Sequence, residues 1–396
     1  MKIRPEDFGA IVATDDPPAL LFVDRALATE LGLPHQERWD NPRGHLSAPT
    51  EVHLLLTRRC DAGCPRCYVN ATPDGAQQPR EEVFAWLSAL AAQGVFHVAL
   101  GGGESMLRDD LFAIADHARS VGLVPNLTTS GLGMTAELAN ECRRFGQVNL
   151  SLDGLGETYR NSRGYDGAAI ALHALDLLVA AGVPTGINFV VSRHTIGDLE
   201  ATAAEIARRG GNEVELLRLK PTGRAGVSYP HDRLLPEQAA SLLPRVVALI
   251  DRHPTVKMKV DCSFVPLLCA TGPNPDTLAA LGVVGCEAGN VLAAVSPEGA
   301  ATACSFINDR LGSVAALTER WDDHPVLERW RSFHTTAPEP CASCPYRLVC
   351  KGGCKAVSKF YHHGDPFHPD PECPRVVAHR EGRPFIPNPI NLTAHV

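Results

Sequence analysis

EVHLLLTRRCDAGCPRCYVN, residues 51–70, sets an apolar run directly before three cysteines, Cys60, Cys64 and Cys67. A short apolar run of this length, closed by a turn-forming segment, reads as a buried strand, EVHLLLT at 51–57. The three thiols then lie just beyond its carboxyl end at the spacing C-x3-C-x2-C. A structural zinc usually takes four ligands. A cubane 4Fe-4S cluster has four irons, each wanting one. Three cysteines imply either a fourth ligand elsewhere in the chain or a position left vacant.

Downstream, strand and helix patterns alternate with short connections. Helical periodicity covers EEVFAWLSALAAQG (81–94), 108–120, 135–145, 167–181 and 198–209. Between these lie strands at HVALGGG (97–103), PNLTTSG (125–131), QVNLSLDG (147–154), TGINFVVS (185–192) and EVELLRLKP (213–221). Such alternation predicts a parallel sheet with right-handed crossovers, either an open doubly wound sheet or an incomplete barrel. Both place ligands at the carboxyl ends of the strands. The three cysteines, Gly101 to Glu104, Ser130, and Asp153 with Gly154 all fall at that edge.

Composition bounds the function. Hydrophobic residues make up 44% of the 396, so a large core is available. A net charge of −8 gives no reason to expect nucleic acid or an anionic membrane surface as partner. No segment reads as a membrane span or a secretory signal, so the expectation is a cytoplasmic protein. In a reducing compartment thirteen cysteines point to metal rather than to disulfides.

Five regions are expected: a small strand-pair-and-helix module at 1–48, a β/α array at 49–222, a linker and helix at 223–285, a cysteine-rich region at 286–375, and an extended tail at 376–396. In the module, GAIVAT and ALLFVD read as two strands around the turn DDPP. The cysteine-rich region carries Cys286, Gly299, Cys304, then Cys341-x2-Cys344-x5-Cys350-x3-Cys354, then Cys373. Zinc is an alternative for this region alone. Clustered cysteines at two separate places favour iron–sulfur. Cys142, on a helix, reads as a core residue, and His362, His363 and His368 as surface loop residues.

The cysteine triad with Tyr68 beside its third member, and GGGE at 101–104 after the second strand, resemble the radical S-adenosylmethionine (SAM) superfamily. The seven later cysteines, with the glycine before Cys304, resemble its SPASM subgroup, and the KGGC…PEC segment is somewhat similar to mycofactocin maturases. Together the resemblance covers roughly residues 50–375. It implies an α/β fold, a partial (β/α)6 TIM-type barrel with a C-terminal SPASM domain.

It further implies that Cys60, Cys64 and Cys67 ligate three irons of a 4Fe-4S cluster and that SAM takes the fourth. Reductive cleavage then gives a 5′-deoxyadenosyl radical that abstracts hydrogen from substrate. Tyr68, Gly101, Gly102, Gly103, Glu104, Ser151, Asp153 and Arg163 are the implied SAM-side residues. Glu104 would accept from the methionine ammonium, although Ser105 stands where relatives usually bear proline. Ser151 would meet the ribose and Arg163 the carboxylate, an Arg there otherwise making a salt bridge. Asp153 would hold the ribose hydroxyls or cap the following turn.

Two auxiliary clusters are implied, on Cys286, Cys304 and Cys354, and on Cys341, Cys344, Cys350 and Cys373. The first lacks a fourth thiol within 287–303, leaving an open iron or a ligand from Cys262 or Cys269. The implied activity is modification of a ribosomally made peptide by crosslinking, oxidation or decarboxylation. Oxidation of a small molecule such as a tetrapyrrole, or a non-catalytic iron–sulfur or zinc protein, are the alternatives. A precursor peptide, a separate recognition protein and an electron donor such as flavodoxin or ferredoxin are the implied partners. Sulfatase maturases place a general-base Asp after the second SPASM cysteine. Here that residue is Ser305, and a serine without a base is a poor proton acceptor. No catalytic residue is singled out.

Overall fold

A computed structural model describes residues 2–15, 18–268, 274–280 and 282–387. Cys269, residues 16 and 17 of the DDPP turn, and residues 388–396 of the tail lie outside them.

The N-terminal module has three strands rather than two: β1 (Lys2–Glu6), β2 (Gly9–Asp15) and β3 (Pro18–Asp24), in antiparallel order β1-β2-β3. The charged KIRPE segment hides β1 from a hydrophobic reading. It is an edge strand, where Pro5 is tolerated, and it buries Arg4 and Glu6 as an ion pair at 2.7 Å. The module packs against the segments that lead into the barrel strands. Lys2 Nζ donates to the Val95 carbonyl, and Arg4 Nη1 to those of Pro49 and Gly94.

The main sheet holds β4 (Glu51–Thr57), β5 (His97–Gly102), β6 (Val124–Thr129), β7 (Val148–Ser151), β8 (Thr185–Val191) and β9 (Glu213–Arg218), all parallel and in sequential order. β10 (Lys257–Val260) extends it in parallel beyond β9, where only a linker and helix were expected. At the other edge β11 (Leu292–Val295) pairs in parallel with β4, followed by antiparallel β12 (Ala300–Thr302) and β13 (Arg310–Ser313). The cysteine-rich region thus covers what would be a bare sheet edge. Ten strands result.

Helices cover the outer face. Arg80–Gln93 buries Val83, Trp86, Leu87 and Leu90, one stripe at helical spacing, and ends on Gly94 at φ 102°. In β4, Val52, Leu54 and Leu56 pack outward against such helices, while Glu51, His53 and Leu55 alternate inward toward a cavity. Cys142 lies in this core, its thiol pushed up to about 12 by burial.

Several helices were not anticipated, two of them beside expected elements. Gly156–Arg163 fills the β7–β8 connection ahead of Ala168–Ala180. Pro374–Arg380 replaces the first part of the expected extended tail, with Pro374 at the first helical position, where its missing N–H costs nothing. No helix among the described residues is long and apolar enough to cross a membrane.

Candidate functional site

A cavity of about 550 Å³ opens at the carboxyl ends of β4–β9 and reaches down the barrel interior to Glu51 and Glu213. That volume suits a cofactor-sized ligand. Cys60, Cys64, Cys67, Tyr68, Gly101, Gly102, Gly103, Glu104, Ser151, Asp153 and Arg163 all line it.

The cysteine loop is held by backbone and by two arginines. Cys60 N–H donates to the Thr72 carbonyl at 2.9 Å, and Thr72 N–H to that of Arg58 at 3.0 Å. Arg224 donates to the carbonyls of Cys64 and Ala71. Arg66 pairs with Asp232 at 2.5 Å. The Ala71 N–H points at Cys67 Sγ, 3.4 Å away. Burial raises the Cys60 and Cys64 thiols, and the three sulfurs act on one another electrostatically. Three thiols lining one cavity, within electrostatic reach of one another, could supply three ligands to an iron–sulfur cluster.

The glycines divide by role. A Cβ on Gly103 would lie 2.2 Å from the Arg59 carbonyl, and one on Gly102 2.5 Å from that of Thr57. These two are required by the cysteine loop crossing over them. Gly101 has nothing within 4 Å of its Cβ position, so only there does a missing side chain leave room for a ligand. Gly103→Ala should therefore lower Tm by several degrees in a thermal melt, the cost of such an overlap being about 1–3 kcal/mol. Gly101→Ala should keep Tm and weaken SAM binding in equilibrium dialysis. The opposite pattern would reverse the assignment.

Glu104 is 3% exposed and its carboxylate is fully engaged. Oε1 accepts from Thr129 Oγ1 at 2.7 Å and Met106 N–H at 3.1 Å; Oε2 accepts from Ser130 N–H at 2.8 Å and Ser130 Oγ at 2.5 Å. Four donors fill the four lone-pair positions of a carboxylate. Glu104 braces the β5 loop against the end of β6. It can accept from an ammonium only when the Ser130 hydroxyl turns away.

Asp153 neither caps the next turn nor stands free for hydroxyls. It accepts from Val190 N–H at 2.8 Å and Ser162 Oγ at 3.0 Å, and pairs with Arg163 Nε at 2.6 Å. Arg163, at the end of its helix, thus makes the salt bridge weighed against the carboxylate role and also faces Cys64. Burial opposes its charge, but Asp153 and Cys64 hold its pKa above the ordinary value.

Sequence reasoning missed the floor of this cavity. His53 Nε2 lies 2.8 Å from Glu51 Oε1, and His53 Nδ1 lies 3.2 Å from Ser305 Oγ. Ser305 therefore has a base within hydrogen-bond distance, supplied by β4, which corrects the expectation that it stands without one. Burial opposes charge on His53, but its hydrogen bond with Glu51 and the charges of Glu51 and Glu215 raise its pKa above the usual 6.5. The signal was present in EVHLLLT, where Glu51 and His53 share one face of the strand. Beside them Lys259 pairs with Glu213 at 2.7 Å. Lys220 pairs with Asp261 and lies 4.4 Å from the centroid of Phe306, whose ring is 4.9 Å from Tyr68. Tyr68, packed on Phe306, is within electrostatic reach of both Cys67 and Cys304.

The C-terminal cysteines form two groups. Cys304 is acted on by Cys286 and Cys354, and Cys262 by Cys286 and Cys354. Cys350 is acted on by Cys373, Cys341 and Cys344. Cys262, from the turn after β10, thus stands with the group that lacked a fourth thiol. Burial pushes the Cys304 and Cys341 thiols up to about 12 and that of Cys354 to about 11. Among the described residues no three His, Cys, Asp or Glu converge tightly enough for a single metal ion. One zinc needs its thiolates around a common centre at 2.3 Å, whereas a cluster takes one thiolate per iron. His362 and His368 stack on each other at 4.1 Å, with His368 3.3 Å from Asp365.

The profile of the radical SAM superfamily matches residues 54–206. Over 345 residues the chain is 30% identical to mycofactocin maturase MftC of Mycobacterium ulcerans, spanning 83% of this chain and 88% of that one. Over 357 residues it is 28% identical to PqqA peptide cyclase of Xanthomonas campestris pv. campestris, spanning 84% and 88%. The crystal structure of Streptococcus suis SuiB bound to precursor peptide SuiA superposes with a TM-score of 0.75 at 16% identity, over 94% of this chain and 98% of that chain. That likeness speaks for the fold.

Proposed function

This chain belongs to the radical SAM superfamily, and from that premise we propose that it matures a ribosomally made peptide, using Glu51, His53 and Ser305 to remove a proton. It is an enzyme that uses a 4Fe-4S cluster and SAM. When bound, these supply a 5′-deoxyadenosyl radical that abstracts hydrogen from substrate.

The chain's own residues have the following parts in this reading. Cys60, Cys64 and Cys67 hold three irons. Gly101 leaves space for the methionine end, Ser130 yields Glu104 to its ammonium, and Arg163, positioned by Asp153, meets its carboxylate. Ser151 faces the ribose, and Tyr68 with Phe306 closes the cavity toward the C-terminal region. His53 Nδ1 takes the substrate proton directly or through Ser305 Oγ, and Glu51 stabilises the imidazolium formed. Two iron–sulfur groups, one that Cys262, Cys286, Cys304 and Cys354 would hold and one that Cys341, Cys344, Cys350 and Cys373 would hold, would supply an acceptor for the electron that leaves with this proton.

The observation that carries this reading is the hydrogen-bonded Glu51–His53–Ser305 series on the wall of the cavity that the three thiols cap. A peptide as substrate is supported by the relatives, whose names describe a maturase and a peptide cyclase. The unpaired edge of β3, with Leu21 48% and Phe22 60% exposed, suits β-addition of a leader peptide or contact with a separate recognition protein. A small carrier such as flavodoxin or ferredoxin supplies the reducing electron. Mass spectrometry of a peptide co-expressed with the protein tests the reading. Loss of two hydrogens indicates a crosslink, and loss of carbon dioxide plus two hydrogens indicates oxidative decarboxylation. An unmodified peptide, with a small molecule oxidised by the same protein, would defeat it.

A further inference from the structure

Lys355 follows Cys354 at the start of the helix Lys355–Tyr361 and is 3% exposed. Among the described residues its Nζ has no hydrogen-bond partner. It lies 3.4 Å from the centroid of the Phe333 ring. Gly352, at φ +79°, leaves it room, since a Cβ there would come within 3.0 Å of Nζ. The carboxylate that acts on it electrostatically, Asp370, is committed elsewhere. It accepts from Arg218 Nη1 at 2.7 Å, from Cys354 N–H at 3.0 Å and from Glu372 N–H at 3.0 Å.

The other groups acting electrostatically on Lys355 are thiols: Cys286 from one cysteine group, Cys350 and Cys341 from the other. A buried ammonium without an anion is costly, and a methionine would fill the same space without that penalty. The cost disappears if the thiols on both sides are metal-bound thiolates, because a cluster with four thiolates carries net negative charge. Two such anions facing each other repel, and a cation between them offsets the repulsion.

Resting on the reading that both C-terminal cysteine groups bind iron–sulfur clusters, we propose that Lys355 is their shared counter-cation. It eases one-electron reduction of each and couples the two. Adding an electron to either group adds negative charge, which a nearby fixed positive charge favours, so removing that charge makes reduction harder. Lys355 is a positioning and tuning residue; it touches no substrate.

The test uses the full chain, reconstituted anaerobically, with Cys60, Cys64 and Cys67 replaced by Ala so that only C-terminal clusters give signals. Reductive titration followed by electron paramagnetic resonance compares Lys355 with Lys355→Met and Lys355→Gln at matched iron content. Both neutral variants should lower the reduction equilibrium of each cluster about tenfold, a shift of about 59 mV for one electron. Unchanged midpoints with full iron content overturn the proposal and leave the two-cluster reading standing. Absence of C-terminal cluster signals in the Lys355 protein overturns that reading, and the proposal with it. Should neutral variants lose iron, retention in Lys355→Arg supports the charge requirement, and loss in all three overturns it.

Discussion

Cys64→Ala should abolish reductive SAM cleavage while leaving in place the iron proposed at the C-terminal cysteines. Cys64 sits at the centre of the triad, with Cys60 and Cys67 in its electrostatic reach and Arg163 against its sulfur. Without its thiolate one iron loses its only protein ligand, and a cluster already short of one ligand has two open irons. The expected result is 5′-deoxyadenosine at the background of the protein-free reaction, with iron and sulfide reduced by one cluster's share. Cleavage near the unaltered level would contradict the assignment of the triad. Uniform loss of all iron would mean that the substitution had unfolded the loop rather than removed a ligand.

His53→Gln should cut peptide product by about a hundredfold or more, the range for removal of a general base. The ratio of 5′-deoxyadenosine to modified peptide should rise, because radical formation no longer leads to proton loss. The pH dependence carries the same test with a sign. His53 accepts a proton only when neutral, and the hydrogen bond and charge of Glu51, with Glu215, raise its pKa despite burial and despite Lys220 nearby. Product formation should therefore fall as pH drops, with its acid limb above the ordinary histidine value of 6.5. Glu51→Gln removes the main raising influence and should move that limb downward. A limb that stays put in Glu51→Gln, or product unaffected in His53→Gln, would remove this series from the chemistry.

Much of this architecture was readable in the chain because its signals are local. The apolar run before Cys60 and the regular alternation to residue 221 define the parallel strands, since period and turn residues act over a few positions. The gathering of Cys60, Glu104, Ser151 and Arg163 around one cavity follows from parallel strands ending at one edge. What was hidden depends on contacts distant in sequence. β1 is an edge strand with Pro5 and a buried Arg4–Glu6 pair, so its composition argues against burial until the partner appears. β10 and β11 join the sheet by pairing with β9 and β4 across long separations. His53 finds Ser305 from 252 positions away. The burial of Lys355 depends on Phe333 and on cysteines distant from it in sequence. Glu104 and Asp153 line the cavity, but their engagement by Thr129, Ser130, Val190 and Arg163 was not readable, because those partners belong to neighbouring strands and helices.

The central claim is that the thiolates of Cys60, Cys64 and Cys67 leave one iron of a cluster open to SAM. Its most direct test is to incubate anaerobically reconstituted, dithionite-reduced protein with SAM alone and quantify products by chromatography and mass spectrometry. The account predicts methionine and 5′-deoxyadenosine from a brown, iron- and sulfide-containing protein. Intact SAM after reduction, or colourless protein carrying zinc at these positions, would contradict it.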